Sequence, residues 1–169
     1  ALRPLPYPAS ERLVWLESEV PGIDRERAWG LSMAGYFHFA EHARTLEATG
    51  AFTEASANLA GREGADRVGA ARVSASFFDV VGARPAHGRL LRPEGNLAHG
   101  SPRDPAPVAV LGHDFWRTRY GADPRIVGRT IEVNSTQVEV IGVLAPGIHL
   151  PEAQVDIWSP LWLDPAARP

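Results

Sequence analysis

Cysteine and lysine are both missing from this chain of 169 residues, and methionine occurs once. Without cysteine there is no disulfide framework, no thiolate metal site and no cysteine nucleophile. A chain free of thiols suits an oxidising space but is common elsewhere, so the compartment stays open. All 17 basic residues are arginine, which together with the many alanines reads as the base composition of a GC-rich gene and carries no functional signal. Strong charge of either sign is lacking too. Seventeen basic against 20 acidic residues give a formal net charge of −3, too weak and of the wrong sign for a surface that binds nucleic acid by counterion release. No apolar run approaches the roughly 20 residues that cross a bilayer, and Ala1 to Pro8 holds no stretch that would serve as a signal peptide. Neither G-x-G-x-x-G nor a Walker A motif occurs, so no phosphate cradle is signalled.

What is present describes a folded domain. Apolar residues make up 44% and charged residues 22%, the balance of a soluble globular chain long enough for one ordinary domain or two small subdomains. Pro4, Pro6 and Pro8 make an extended lead-in. Leu13, Val14, Trp15 and Leu16 form a short apolar run that predicts a mostly buried strand, and Val20 to Gly30 reads as a polar loop. Ser32 stands as N-cap before Met33, Tyr36, Phe37 and Ala40 at helical spacing, with Gly50 closing that helix. Ala51 to Val73 predicts a hairpin turning around Gly61 to Gly64. Ser76 and Asp79 resemble a capping box for a short helix ended by Gly82.

Leu91 to Pro107, dense in Pro, Gly, Asn and charge, predicts an exposed loop; Asn96, His99, Arg103 and Asp104 within it are the candidate partner-contact residues on exposure alone. Val108 to Leu111 predicts a buried strand, and Asp114 to Tyr120 a helix stopped by Gly121. Thr130 to Val133 and Thr136 to Val143 predict a tight hairpin around Asn134-Ser135. Val155, Ile157 and Trp158 supply a last short strand. Strands and helices without regular βαβ alternation indicate an α+β fold of small mixed sheets with helices on one face.

Three patterns suggest chemistry. His38-Phe39-Ala40-Glu41-His42 matches the H-x-x-E-H of inverted zincins, in which two histidines one helical turn apart hold zinc and the glutamate serves as general base. On a helical wheel, however, His38, Glu41 and His42 share the polar face, opposite Met33, Tyr36, Phe37 and Ala40, and no downstream motif supplies a third ligand. Metal binding by these three is therefore the fallback, giving a zinc-dependent hydrolase as one alternative function. Gly30-Leu31-Ser32-Met33-Ala34 falls one glycine short of a nucleophile elbow, and Ser32 is better explained as a cap. The tryptophans at 15, 29, 116, 158 and 162 would make a stand-alone secreted ligand-binding module if exposed, but Trp15, Trp116 and Trp158 sit inside apolar elements and read as core.

An ordered set of stretches resembles a known family. It comprises Pro4-Leu5-Pro6-Tyr7-Pro8, Arg12-Leu13-Val14, Arg72 through Gly82, Gly88-Arg89-Leu90, Val108 through Leu111, Phe115-Trp116 with Arg119-Tyr120-Gly121, Asp123-Pro124, Val127 through Ile131, Val138 through Val143 and Asp156 through Leu161. In this order and approximate spacing they are similar to the MacB-like periplasmic core domain of ABC-transporter permeases of the FtsX/MacB type. The resemblance implies an extracytoplasmic domain between the first and second membrane helices, one helix ending just before Ala1. It implies a porter-like βαβ part plus a mostly β, Sabre-like part: residues 1–73 as the first porter-like half, 74–163 as the Sabre-like subdomain, and 164–169 as a tail. A second porter half, expected after Leu161, is not among these 169 residues. The implied function is non-catalytic: coupling of cytoplasmic ATP hydrolysis to movements outside the membrane, called mechanotransmission, in efflux or in lipoprotein or peptide transport. The implied partners are an ATPase subunit or domain reached through the membrane helices, a second permease copy, and an extracytoplasmic adaptor or substrate protein. No cofactor, metal or catalytic residue is implied, and His38-x-x-Glu41-His42 is not a motif of the family.

Overall fold

Ser32 begins the first helix as its side chain dictates. In the computed structural model, which describes residues 7, 10–16, 31–61, 64–92, 107–150, 153–163 and 166, its hydroxyl accepts the Gly35 N–H at 3.1 Å. Helix α1 spans Met33–His42 and buries Phe37. It does not run on to Gly50: Ala43 turns extended at φ −78°, ψ 94°, its N–H closing the last turn on the Phe39 carbonyl. Gly50 serves close packing instead, since a Cβ there would lie 2.8 Å from the Phe77 Cα. The run Leu13–Leu16 is likewise not a buried strand. It follows a 3₁₀ turn at Ser10–Arg12, has no paired neighbour, and leaves Val14, Trp15 and Leu16 exposed, because an apolar run becomes a strand only where a ladder receives it. The predicted loop Val20 to Gly30 lies outside the described residues.

Seven strands occur among the described residues: β1 Phe52–Gly61, β2 Gly64–Val73, β3 Pro85–Gly88, β4 Val108–Leu111, β5 Thr130–Val133, β6 Thr136–Leu144 and β7 Ile157–Pro160. The two hairpins legible in the sequence form: β1 with β2, and β5 with β6 through Asn134 and Ser135 at φ 49° and 60°. The order is β3-β6-β4-β7-β2-β1-β5, with β5 returning to β6. Six strands therefore close on themselves, and β3 lies beside the far half of β6. The α+β class stands, and the strands join in one sheet. Pairing crosses position 73/74, since β2 runs parallel to β7 and β1 meets β5.

Closure gives the sheet an inside and an outside, each with its own apolar core. All six ring strands feed the inner one, through Ala57 and Leu59, Val68, Ala109 and Leu111, Ile131, Val140 and Val143, and Ile157. A β-bulge between β4 and β6, where Ala109 faces Val140 but Val110 faces Gly142, lets both Val140 and Val143 point inward. Trp116 caps this core from helix α3, His113–Tyr120, which ends at Gly121 in the left-handed region at φ 61°. The outer core gathers Ala71, Val73, Val110, Ile141, Leu144 and Trp158 under Phe77 and Phe78 of α2, Phe77–Val80. Strands β4, β6 and β7 are thus buried on both faces, which explains their continuous apolar runs. The capping box expected at α2 is not made: Ser76 is itself helical, and its hydroxyl donates to the Thr49 carbonyl at 2.7 Å. That bond ties the segment after α1 to the start of α2.

Candidate functional site

The inverted-zincin pattern sits on an exposed face of α1. His38 and His42 stack with ring centroids 4.7 Å apart and planes 18° from parallel. Imidazole lone pairs lie in the ring plane, so nearly parallel stacked rings send them along parallel lines instead of converging on one ion about 2.0–2.1 Å from each. The His42 Nδ1 also lies 3.0 Å from the His38 carbonyl, to which it donates, leaving Nε2 as its only lone pair. Among the described residues no three His, Asp or Glu side chains gather where a metal could be held. His38, Glu41 and His42 thus share a helix face, as the wheel predicts, and no further ligand joins them among the described residues.

The tryptophans divide by burial. Trp116 and Trp158 are core, the Trp116 indole donating to the Asp123 carbonyl at 2.9 Å. Trp15 is 39% exposed and packs edge-on against Phe52 at 5.0 Å. Trp162 is half-buried, and Trp29 lies outside the described residues. No aromatic groove results among the described tryptophans. Asn96, His99, Arg103 and Asp104, the candidate partner-contact residues, also fall outside the described residues.

What the ring does bring together was not signalled in the sequence. His87 of β3 and His113 of α3 both lie against Trp116, at 4.9 and 5.6 Å between ring centroids. Arg119 of α3 reaches Asp66 of β2 at 2.7 Å, pinning the helix to the β1–β2 hairpin. Beyond α3, Asp123 caps a 3₁₀ turn and binds the Arg125 side chain at 2.9 Å; hydrogen bonds from Arg125 hold its carboxyl below the usual carboxylate range. Burial raises the Tyr120 phenol, partly offset by the adjacent Arg119 charge. Of these contacts, His87 with Trp116 and Arg119 with Asp66 join α3 to β3 and β2. Among the described residues none of these contacts pairs a nucleophile with a base. No helix among the described residues is long and apolar enough to cross a membrane.

Comparison with known proteins gives the shape a context. The family model described as the MacB-like periplasmic core domain matches residues 9–166. No curated protein matches the sequence. Among solved structures, the periplasmic region of MacB from Actinobacillus actinomycetemcomitans is similar with a TM-score of 0.54 and 19% identity, over 76% of this chain and 53% of that one. The extracellular domain of the noncanonic ABC-type transporter YknZ from Gram-positive bacteria is similar with a TM-score of 0.55 and 16% identity, over 73% and 59%. The chain thus spans little more than half the length of these two structures, and at such identities the likeness shows a shared fold.

Proposed function

Since the chain belongs to the MacB-like periplasmic core domain family, we propose that it is the extracytoplasmic domain of an ABC-transporter permease and acts there as a non-catalytic mechanical element. The observation that carries this reading is the match of the family over residues 9–166, to which the fold shared with MacB and YknZ adds support. In this reading the domain is tethered by membrane helices, pairs with a second permease copy, and follows an ATPase on the cytoplasmic side. The ring suits mechanical work, because close-packed apolar cores on both of its sides resist deformation. The sheet is continuous from β1 to β7, so we place 52–160 in one Sabre-like unit, larger than the 74–163 expected from the resemblance.

The loop from Leu91 to Pro107 is the proposed contact for an adaptor or substrate protein, with Asn96, His99, Arg103 and Asp104 as its polar groups. Efflux and lipoprotein or peptide transport are the processes this role would serve. Deleting residues 96–104 from the full-length permease, reconstituted with its ATPase, is expected to abolish transport or partner binding while basal ATP hydrolysis continues. Unchanged transport and partner binding would remove the loop from the account.

A further inference from the structure

The ring closes incompletely, and the gap has a definite chemistry. Strand β1 meets β5 only at Leu59 opposite Val133, because the chain turns away at Asn134-Ser135 to become β6. At that end the Asn58 N–H donates to the Asn134 Oδ1 at 2.8 Å, and the Asn134 N–H donates to the Asn58 carbonyl at 2.8 Å. Asn58 therefore turns its backbone away from β2. At the other end Ala51 turns its backbone towards β2, its carbonyl accepting the Ser74 N–H at 2.8 Å and its N–H reaching the Ser74 Oγ at 2.9 Å. Backbone direction alternates along a strand, and the β1–β2 register is unbroken, so both ends agree: Phe52, Glu54 and Ser56 point their N–H and C=O groups outward. No described residue pairs with them.

Natural sheet edges are blunted by proline, bulges or repeated charge. From Thr53 to Ser56 this edge is exposed, in unbroken register with β2, and carries none of these, only the single carboxylate of Glu54. Phe52, two positions before it on the same face, is overlain by the exposed Trp15, with Val14 69% exposed beside Trp15 in sequence. A strand laid along the edge would meet an acid and an aromatic pair two residues apart. A second copy fits poorly. It would bring another acidic strand, from a chain of net charge −3, against the Glu54 carboxylate.

We propose that the edge of β1 from Phe52 to Ser56, unpaired among the described residues, is a docking site for an extended segment of a partner protein, one with a basic residue opposite Glu54 and an apolar residue two positions away beside Phe52 and Trp15. Backbone hydrogen bonds supply the affinity and those two side chains the selection. The edge is a property of the sheet and does not depend on the transport reading.

The test uses the 169-residue chain and a fluorescein-labelled peptide of about eight residues with valine and arginine two positions apart in a threonine background. Anisotropy is expected to saturate, and hydrogen exchange to slow at the Glu54 and Ser56 amides. Ser56→Pro removes an outward donor that β2 does not use, so the fold should persist while binding falls about tenfold or more. Glu54→Arg keeps the ladder and should reverse the preference towards a peptide with glutamate in place of arginine. Absence of saturable binding, binding indifferent to both variants, or protection of the same amides in a peptide-free dimer would each overturn the proposal.

Discussion

A single hydrogen at Gly50 decides whether two segments can meet. The Phe77 backbone approaches so closely that a Cβ would sit 2.8 Å from its Cα, and backbone cannot step aside as a flexible side chain can. Gly50→Ala should therefore destabilise the fold by about 1–3 kcal/mol, read from the urea midpoint. Tyr7 gives a second prediction. It packs on the outer core, where burial pushes its phenol up to about 12. The folded state favours the neutral phenol, so its contribution is complete below the unfolded value of about 10 and is lost as pH rises from there towards 12. Stability measured by denaturation should fall over that alkaline window, and Tyr7→Phe should flatten the fall. Ser32, Gly121 and Asn134 were legible as residues because capping and positive φ are local demands. Ser76 was misread because its hydroxyl is bound by Thr49, 27 positions away.

Hairpins and helices show the same division between local and distant causes. Both hairpins could be read from turn chemistry and β-branched flanks, whereas Leu13 to Leu16 looked like a strand and is not, since no ladder receives it. The α1 histidines could be placed on one face from spacing, but spacing did not reveal that their rings stack. Asn134 is the element on which ring closure turns, being at once a residue of the hairpin turn at φ 49° and the side chain that binds Asn58. Asn134→Ala removes that acceptor and puts in the turn a residue less tolerant of positive φ than asparagine. A loss of about 1–2 kcal/mol is expected, with faster hydrogen exchange at the Asn58 amide.

For the whole molecule, the closed ring is the property least visible in sequence. It joins β2 to β7, as in the Ser159 contact to the Ala71 carbonyl 88 positions away, and no local pattern encodes a pairing at that distance. The same holds for the open edge of β1, which exists only because β5 departs at Asn134. The family, by contrast, was legible, because its signal is the order of many short stretches and survives without knowledge of how they pair. The central claim is that this ring stands outside the membrane and moves when ATP is used inside. These 169 residues hold no cysteine, so in a permease whose remaining cysteines are replaced an introduced thiol reports on this domain alone. Val14→Cys, at a position 69% exposed, is placed in the full-length permease, and its labelling by a membrane-impermeant maleimide is followed in intact cells with active or hydrolysis-deficient ATPase. The account predicts labelling without permeabilisation, at a rate that differs between the two ATPase states. Labelling only after permeabilisation, or at one rate in both states, would contradict it.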